Sequence, residues 1–367
     1  MMDEIVLGRH SRPYGLTRVP CAAIRRIGGT SVNYIPLGST NVKVSRFCLG
    51  TMMFGGKTDE AESIRITRAA VEAGINFVDT ADVYSTGACE TIVGKALEGI
   101  RDRVVLATKG GMKMGEGPND IGASRFHYVR AVEASLKRLR TDRIDLYYIH
   151  WPMAAMNLHE VLRTLDDLVR AGKILYVACS NFPAWLAVRA QWISDAGGFT
   201  PLVCGQYPYN LIERGLEIEI LPMAAALGMG LTIYRPLAIG VLTGKYLSGT
   251  PADARGQTDE RASRWTGRYA DGLVKLAAFA KARNVTCADV ANAWVLAHPA
   301  VTSVIVGVSR LQQLEANLKG MAWTMTPAER KEVAGFFPTE VQEEAGGNFP
   351  SWRRSFNVSH HAGLPGL

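Results

Sequence analysis

Cysteine is scarce and unpaired in this chain: there are six in 367 residues, and none form a Cys-x-x-Cys spacing. A disulfide framework is therefore not expected, and the six read as reduced, buried thiols of a cytosolic protein. Long apolar runs are missing too. None reaches the roughly 18 residues that a membrane-spanning helix needs. The longest candidate, 220–234, is interrupted by Gly228 and Gly230, so no membrane role is expected. The basic excess is modest and dispersed. A net charge of +7 comes without a nucleic-acid-binding motif, and an anionic cofactor accounts for it as well. A Gly-rich dinucleotide fingerprint is also lacking after the first strand-like run, because LGTMMFGGK at 49–57 has the wrong spacing.

What is present is a hydrophobic content of 47%, enough for one large core in a single domain. Six short apolar runs each stop at a polar group: NFVDT at Asp79, VVLATK at Lys109, DLYYIH at His150, LYVACSN at Ser180 and Asn181, VCGQ at Gln206, and LTIY at Tyr234. Segments of helical periodicity follow them, as in 90–100, where Ile92, Val93, Ala96 and Leu97 share one face. Phe47-Cys48-Leu49 adds a first strand and Ser303-Val304-Ile305-Val306 a last. Alternation of this kind implies a parallel sheet with crossover helices. Eight units of about 25 to 40 residues match a (β/α)8 TIM barrel, whose functional residues sit at the C-terminal strand ends. A doubly wound open sheet would also alternate, but the missing fingerprint argues against it.

Residues 1–32 lack periodicity and carry Arg9, Arg12, Arg18, Arg25 and Arg26. They read as a basic extension; no continuous apolar stretch follows the arginines, so a secretory signal is not expected. The segment 32–50 alternates apolar and polar residues on both sides of Gly38-Ser39-Thr40-Asn41, which predicts a β-hairpin able to plug the N-terminal mouth. The barrel unit is expected over 33–340, with extra C-terminal helices and a separate tail over 341–367.

Asp79 and Tyr84 lie in DTADVY, Lys109 in ATKGG and His150 in IHWP. At these positions the chain resembles the aldo-keto reductase family, in which an Asp, a Tyr, a Lys and a His from successive strand ends form the catalytic tetrad. The resemblance covers 33–336. It includes the hairpin, SNF at 180–182, the Gln-x-x-Tyr-Asn stretch from Gln206, PLAIGVLTGKY from Pro236 and the tail segment from Gly307 to Asn317. A narrower similarity is to the β subunits of voltage-gated potassium channels, which share the barrel and imply a cofactor-binding regulatory role as the alternative to an enzyme.

The residue types suit carbonyl chemistry. Hydride transfer to a carbonyl leaves negative charge on oxygen, and a proton donor must stand beside it. Tyr84 is the candidate acid, Lys109 the ammonium expected to pull its proton affinity toward neutral pH, Asp79 the partner of Lys109, and His150 a hydrogen-bond donor to the carbonyl. No metal is required. Taken singly, each has another reading: Asp79 and Lys109 as a structural ion pair, Tyr84 as a packed aromatic, His150 as a turn residue.

The resemblance also implies NADP(H), with NAD(H) as the other option. Thr51, Met52, Ser180, Asn181, Gln206 and Tyr234 would hold the nicotinamide end, although Ser180 and Asn181 could instead cap the helix beginning near Pro183. Pro236, Leu237, Gly240 and Lys245 would pass the pyrophosphate, and Gly307, Ser309, Arg310, Gln313 and Asn317 the adenosine end. Arg310 suits a 2′-phosphate. Ala316 departs from the family, which often has Glu there. Met53, Phe54, Trp151 and Trp265 are candidates for an apolar substrate mouth or equally for ordinary packing, with loops 110–124 and 247–265 deciding specificity.

Overall fold

The computed structural model describes residues 32–153, 156–247, 249 and 259–338. Of the expected basic extension 1–32 only Val32 is described, and the tail 341–367 and residues 248 and 250–258 of the loop 247–265 lie outside the described residues.

A hairpin opens the described chain. Strands β1 (Tyr34–Pro36) and β2 (Lys43–Ser45) pair antiparallel with Ile35 opposite Val44. Its turn depends on Gly38, whose φ of +57° is in the left-handed region. A Cβ there would collide with the Val203 carbonyl and come within 2.6 Å of the Gly230 nitrogen. The turn is therefore pressed against the N-terminal ends of two barrel strands, and the expected plug is present.

The barrel strands are β3 (Phe47–Gly50), β4 (Phe77–Asp79), β5 (Val105–Gly110), β6 (Ile144–Ile149), β7 (Ile174–Ser180), β8 (Leu202–Pro208), β9 (Gly230–Tyr234) and β10 (Val301–Gly307). They close in the order β10-β3-β4-β5-β6-β7-β8-β9, all pairs parallel. This is the (β/α)8 barrel rather than the open sheet. Side chains alternate between faces with period two. Leu49, Val78, Leu106, Tyr147, Ile149 and Val177 point outward into the core shared with the helices. Cys48, Phe77, Ala107, Leu146, Tyr148, Ala178 and Cys204 form a second cluster inside the barrel, closed below by Leu37 and Val44 of the hairpin.

Helices α1 (Glu60–Glu72), α2 (Ala88–Leu97), α3 (Arg125–Leu139), α4 (Leu158–Arg170), α5 (Ala184–Gly197) and α6 (Ile220–Leu227) follow β3 to β8. The helix expected over 90–100 starts two residues earlier and stops three earlier, where Glu98 takes a non-helical conformation. In α4, Leu158, Val161, Leu162, Leu165 and Leu168 are buried at three- and four-residue intervals, and Asn157 caps the start by accepting from the Glu160 N–H.

After β9 come α7 (Glu260–Arg268), α8 (Ala270–Ala282) and α9 (Cys287–Leu296); α10 (Leu311–Gly320) and α11 (Pro327–Ala334) follow β10. The added helices are thus split between the connection after β9 and the end of the barrel unit. The five described cysteines are all free, four of them buried. Burial lifts every one of these thiols above its ordinary pKa, to about 11 for Cys89 and Cys204 and about 12 for Cys179. None of the described helices is long and apolar enough to cross a membrane.

Candidate active site

Asp79 ends β4, Lys109 is the penultimate residue of β5, and His150 is the first residue past β6. Because β4, β5 and β6 are neighbours in the sheet, these three side chains start from adjacent positions. The backbone beyond each strand end stays tied to its neighbour. Thr51 N–H donates to the Asp79 carbonyl at 3.1 Å, Thr80 N–H to Ala107 at 2.9 Å, Asp82 N–H to Lys109 at 3.1 Å, and His150 N–H to Gly110 at 3.1 Å. The segment from Thr80 to Asp82 thus runs along β5. Tyr84 follows, its ring centre 4.9 Å from the Lys109 amine, before the chain turns through left-handed Ser85 and Thr86.

The Lys109 ammonium is fully buried and has three acceptors: Asp79 Oδ1 at 2.6 Å, the Thr80 carbonyl at 2.7 Å and the Tyr84 hydroxyl at 3.3 Å. Three acceptors saturate its three N–H bonds. Burial by itself would lower the lysine pKa, but the Asp79 carboxylate and the Tyr84 oxygen outweigh it and the net shift is upward. Lys109 therefore stays charged. The second Asp79 oxygen accepts from Gln206 Nε2 at 2.8 Å.

Tyr84 behaves differently from the expectation that the ammonium would draw its pKa down. Burial raises the phenol pKa more than Lys109 lowers it, so the ring keeps its proton. Its ring meets His150 edge-on, with centroids 6.0 Å apart. His150 is buried and lies in the field of Lys109; desolvation first and that charge second push its pKa down to about 3. At neutral pH it is an uncharged imidazole. Its Nδ1 is buried without a hydrogen-bond partner among the described residues.

The polar groups of the next strands form a linked row. Ser180 Oγ donates to the Gln206 carbonyl at 3.1 Å, Asn181 Nδ2 to Ser180 Oγ at 2.9 Å, and Tyr234 OH to Asn181 Oδ1 at 2.7 Å. The helix-cap reading of Ser180 and Asn181 fails, because α5 begins after Pro183 with no side-chain cap. Gln206, expected at the nicotinamide, gives one amide N–H to Asp79, which leaves its second N–H and its carbonyl oxygen for other partners. Thr51 is buried and bonded to the Asp79 carbonyl at 2.9 Å, while Met52 is exposed.

Beyond β9, Pro236 is buried, Leu237 half-buried, and Gly240 has a φ of +93° with the Lys245 amine 3.1 Å from where its Cβ would be. The positive φ favours glycine at this turn, which the exposed Lys245 crosses. Past β10, Gly307, Arg310 and Gln313 are exposed and Ser309 and Asn317 half-buried; Gln313 Oε1 accepts from the Ser309 N–H at 2.8 Å. Lys245 and Arg310 thus follow the C-terminal ends of the neighbouring strands β9 and β10.

Of the expected mouth residues, Met53 and Trp151 are half-buried. Phe54 is fully buried in the core between strands and helices, and Trp265 is buried on α7, so both serve packing. Two residues went unnoticed in the sequence. The Thr80 carbonyl completes the Lys109 cage, and the Asp82 carboxyl, buried beside Glu90, is raised to about 7, chiefly by desolvation.

The sequence matches the family model described as "Aldo/keto reductase family" over residues 46–336. It is 38% identical over 318 residues to "Uncharacterized oxidoreductase YrpG" of Bacillus subtilis, covering 84% of this chain and 96% of that protein. It is 34% identical over 323 residues to "Probable voltage-gated potassium channel subunit beta" of Oryza sativa subsp. japonica, covering 85% and 98%. With "Norsolorinic acid reductase A" of Aspergillus parasiticus it shares 33% identity over 321 residues, covering 83% and 80%.

Proposed function

The chain belongs to the aldo/keto reductase family of oxidoreductases, and from that premise we propose that it is an NADP(H)-dependent enzyme interconverting a carbonyl and an alcohol. The single observation that carries this reading is the shared ammonium: Asp79 and Tyr84 both lie within hydrogen-bonding reach of Lys109, with the His150 ring against Tyr84. A dinucleotide would be held by Asn181, Tyr234, Lys245 and Arg310, and when bound it would supply or accept the hydride.

Tyr84, protonated at neutral pH, donates its phenolic proton to the oxygen as negative charge develops there. Lys109, locked by Asp79 and the Thr80 carbonyl, stabilises the phenolate left behind. Neutral His150 offers an N–H to the same oxygen without competing as an acid. In the oxidative direction Tyr84 takes the proton back. Half-buried Met53 and Trp151 favour an apolar aldehyde or ketone entering beside them over a sugar.

Tyr84→Phe is the test. It should retain NADPH binding by fluorescence titration while kcat on a panel of aldehydes, ketones and sugars falls by about 10²- to 10⁴-fold. Wild-type turnover in the variant would remove the proposed acid. A wild-type chain that binds NADPH, turns over nothing on that panel and copurifies with a stoichiometric protein partner would instead make it a cofactor-binding regulatory subunit; the rice relative is named a probable channel subunit.

A further inference from the structure

The first turn of α10 lacks intrahelical acceptors for its N–H groups, as every helix start does. Here the Leu311 N–H is answered from far away in sequence: it donates to Glu62 Oε1 on α1 at 2.8 Å. The other Glu62 oxygen pairs with Arg65 at 3.2 Å. The carboxylate is 21% exposed, so solvent screens it only partly, and Asp59 capping the Glu62 N–H at 2.9 Å holds the first turn of α1 in place. Thr58 adds a second tie between the two segments by donating to the Ser309 carbonyl at 3.3 Å.

A negative side chain from another helix therefore sits where the positive end of α10 would otherwise attract an anion. Arg310, the residue before α10, was read as the partner of a 2′-phosphate. Glu62 carries the opposite charge, bonded one residue further along the chain at Leu311.

We propose that Glu62 is a specificity-determining residue that opposes a phosphate at the start of α10 and narrows the chain's preference for phosphorylated over unphosphorylated dinucleotide. This rests on the proposed function, in which the adenosine end of the dinucleotide lies at α10. A 2′-phosphate must approach the carboxylate and compete with it for the Leu311 N–H. A free 2′-hydroxyl meets no such charge and can donate to the carboxylate, as acidic residues do for the ribose in other dinucleotide sites.

The test is Glu62→Gln in the full chain, with NADPH and NADH dissociation constants measured by calorimetry at low and moderate salt. Glutamine keeps an oxygen for the Leu311 N–H and removes only the charge. The variant should bind NADPH about tenfold more tightly at low salt, with NADH changed by less than about twofold. The NADPH gain should shrink as salt is added. If NADPH binds the wild type but the ratio is unchanged in the variant, Glu62 has no such role and the proposed function stands. If neither protein binds either dinucleotide, both proposals fall.

Discussion

The two ends of the same barrel strands are built from residues only two positions apart, yet they solve opposite problems. Phe77, Ala107, Leu146, Ala178 and Cys204 line the interior near the hairpin, and all are buried in an apolar cluster. Two residues further along are Asp79, Lys109, Tyr148, Ser180 and Gln206, with His150 two beyond Tyr148. Period two keeps both sets facing inward. The lower layer gains stability by excluding water, whereas the upper layer buries charge and must satisfy it bond by bond. The difference shows why a plug of Leu37 and Val44 closes one end while the other keeps a half-buried phenol at its rim.

The sharpest way to break this contrast is to leave the upper layer with an unpaired charge. Lys109→Met strands the Asp79 carboxylate, and urea unfolding should report a loss of about 3–5 kcal/mol, with turnover abolished. Stability equal to wild type would mean that the charged layer is not held by its pairing. At the opposite end, Leu37→Ala removes an apolar contact. It should cost about 2–4 kcal/mol in the same unfolding assay while leaving kcat within about twofold. A large drop in kcat would show that the two ends are mechanically coupled.

The effect absent at neutral pH, an acid slope, concerns His150. Its folded pKa of about 3 lies below its ordinary value, so the unfolded chain binds the extra proton first. Its contribution is complete above roughly pH 6.5 and is lost as pH falls toward 3. His150→Gln should flatten the stability profile across that window. An unchanged acid slope would place the imidazole in contact with water.

Strand order and the upper layer were legible because each apolar run is interrupted at its C-terminal end by one polar residue, and because such ends meet in a closed barrel. The hairpin was legible from alternation around Gly38. What remained hidden was long-range. Gln206 reaches Asp79 across 127 residues of sequence, and Glu62 reaches Leu311 across 249, with no local pattern to announce either. The proton affinity of Tyr84 was misjudged in direction, since residue type reveals the neighbouring ammonium but not the depth of burial that outweighs it. Phe54 could have lined the mouth or packed in the core, and residue type alone did not separate the two; it is buried in the core.

The raised thiols bear on how the protein tolerates its own surroundings. Carbonyl compounds are electrophiles, and thiolate is the form of cysteine that they alkylate. With Cys48, Cys89, Cys179, Cys204 and Cys287 all shifted toward the protonated form, the described part of the chain presents little thiolate at neutral pH. These described thiols are correspondingly slow to add to an electrophile.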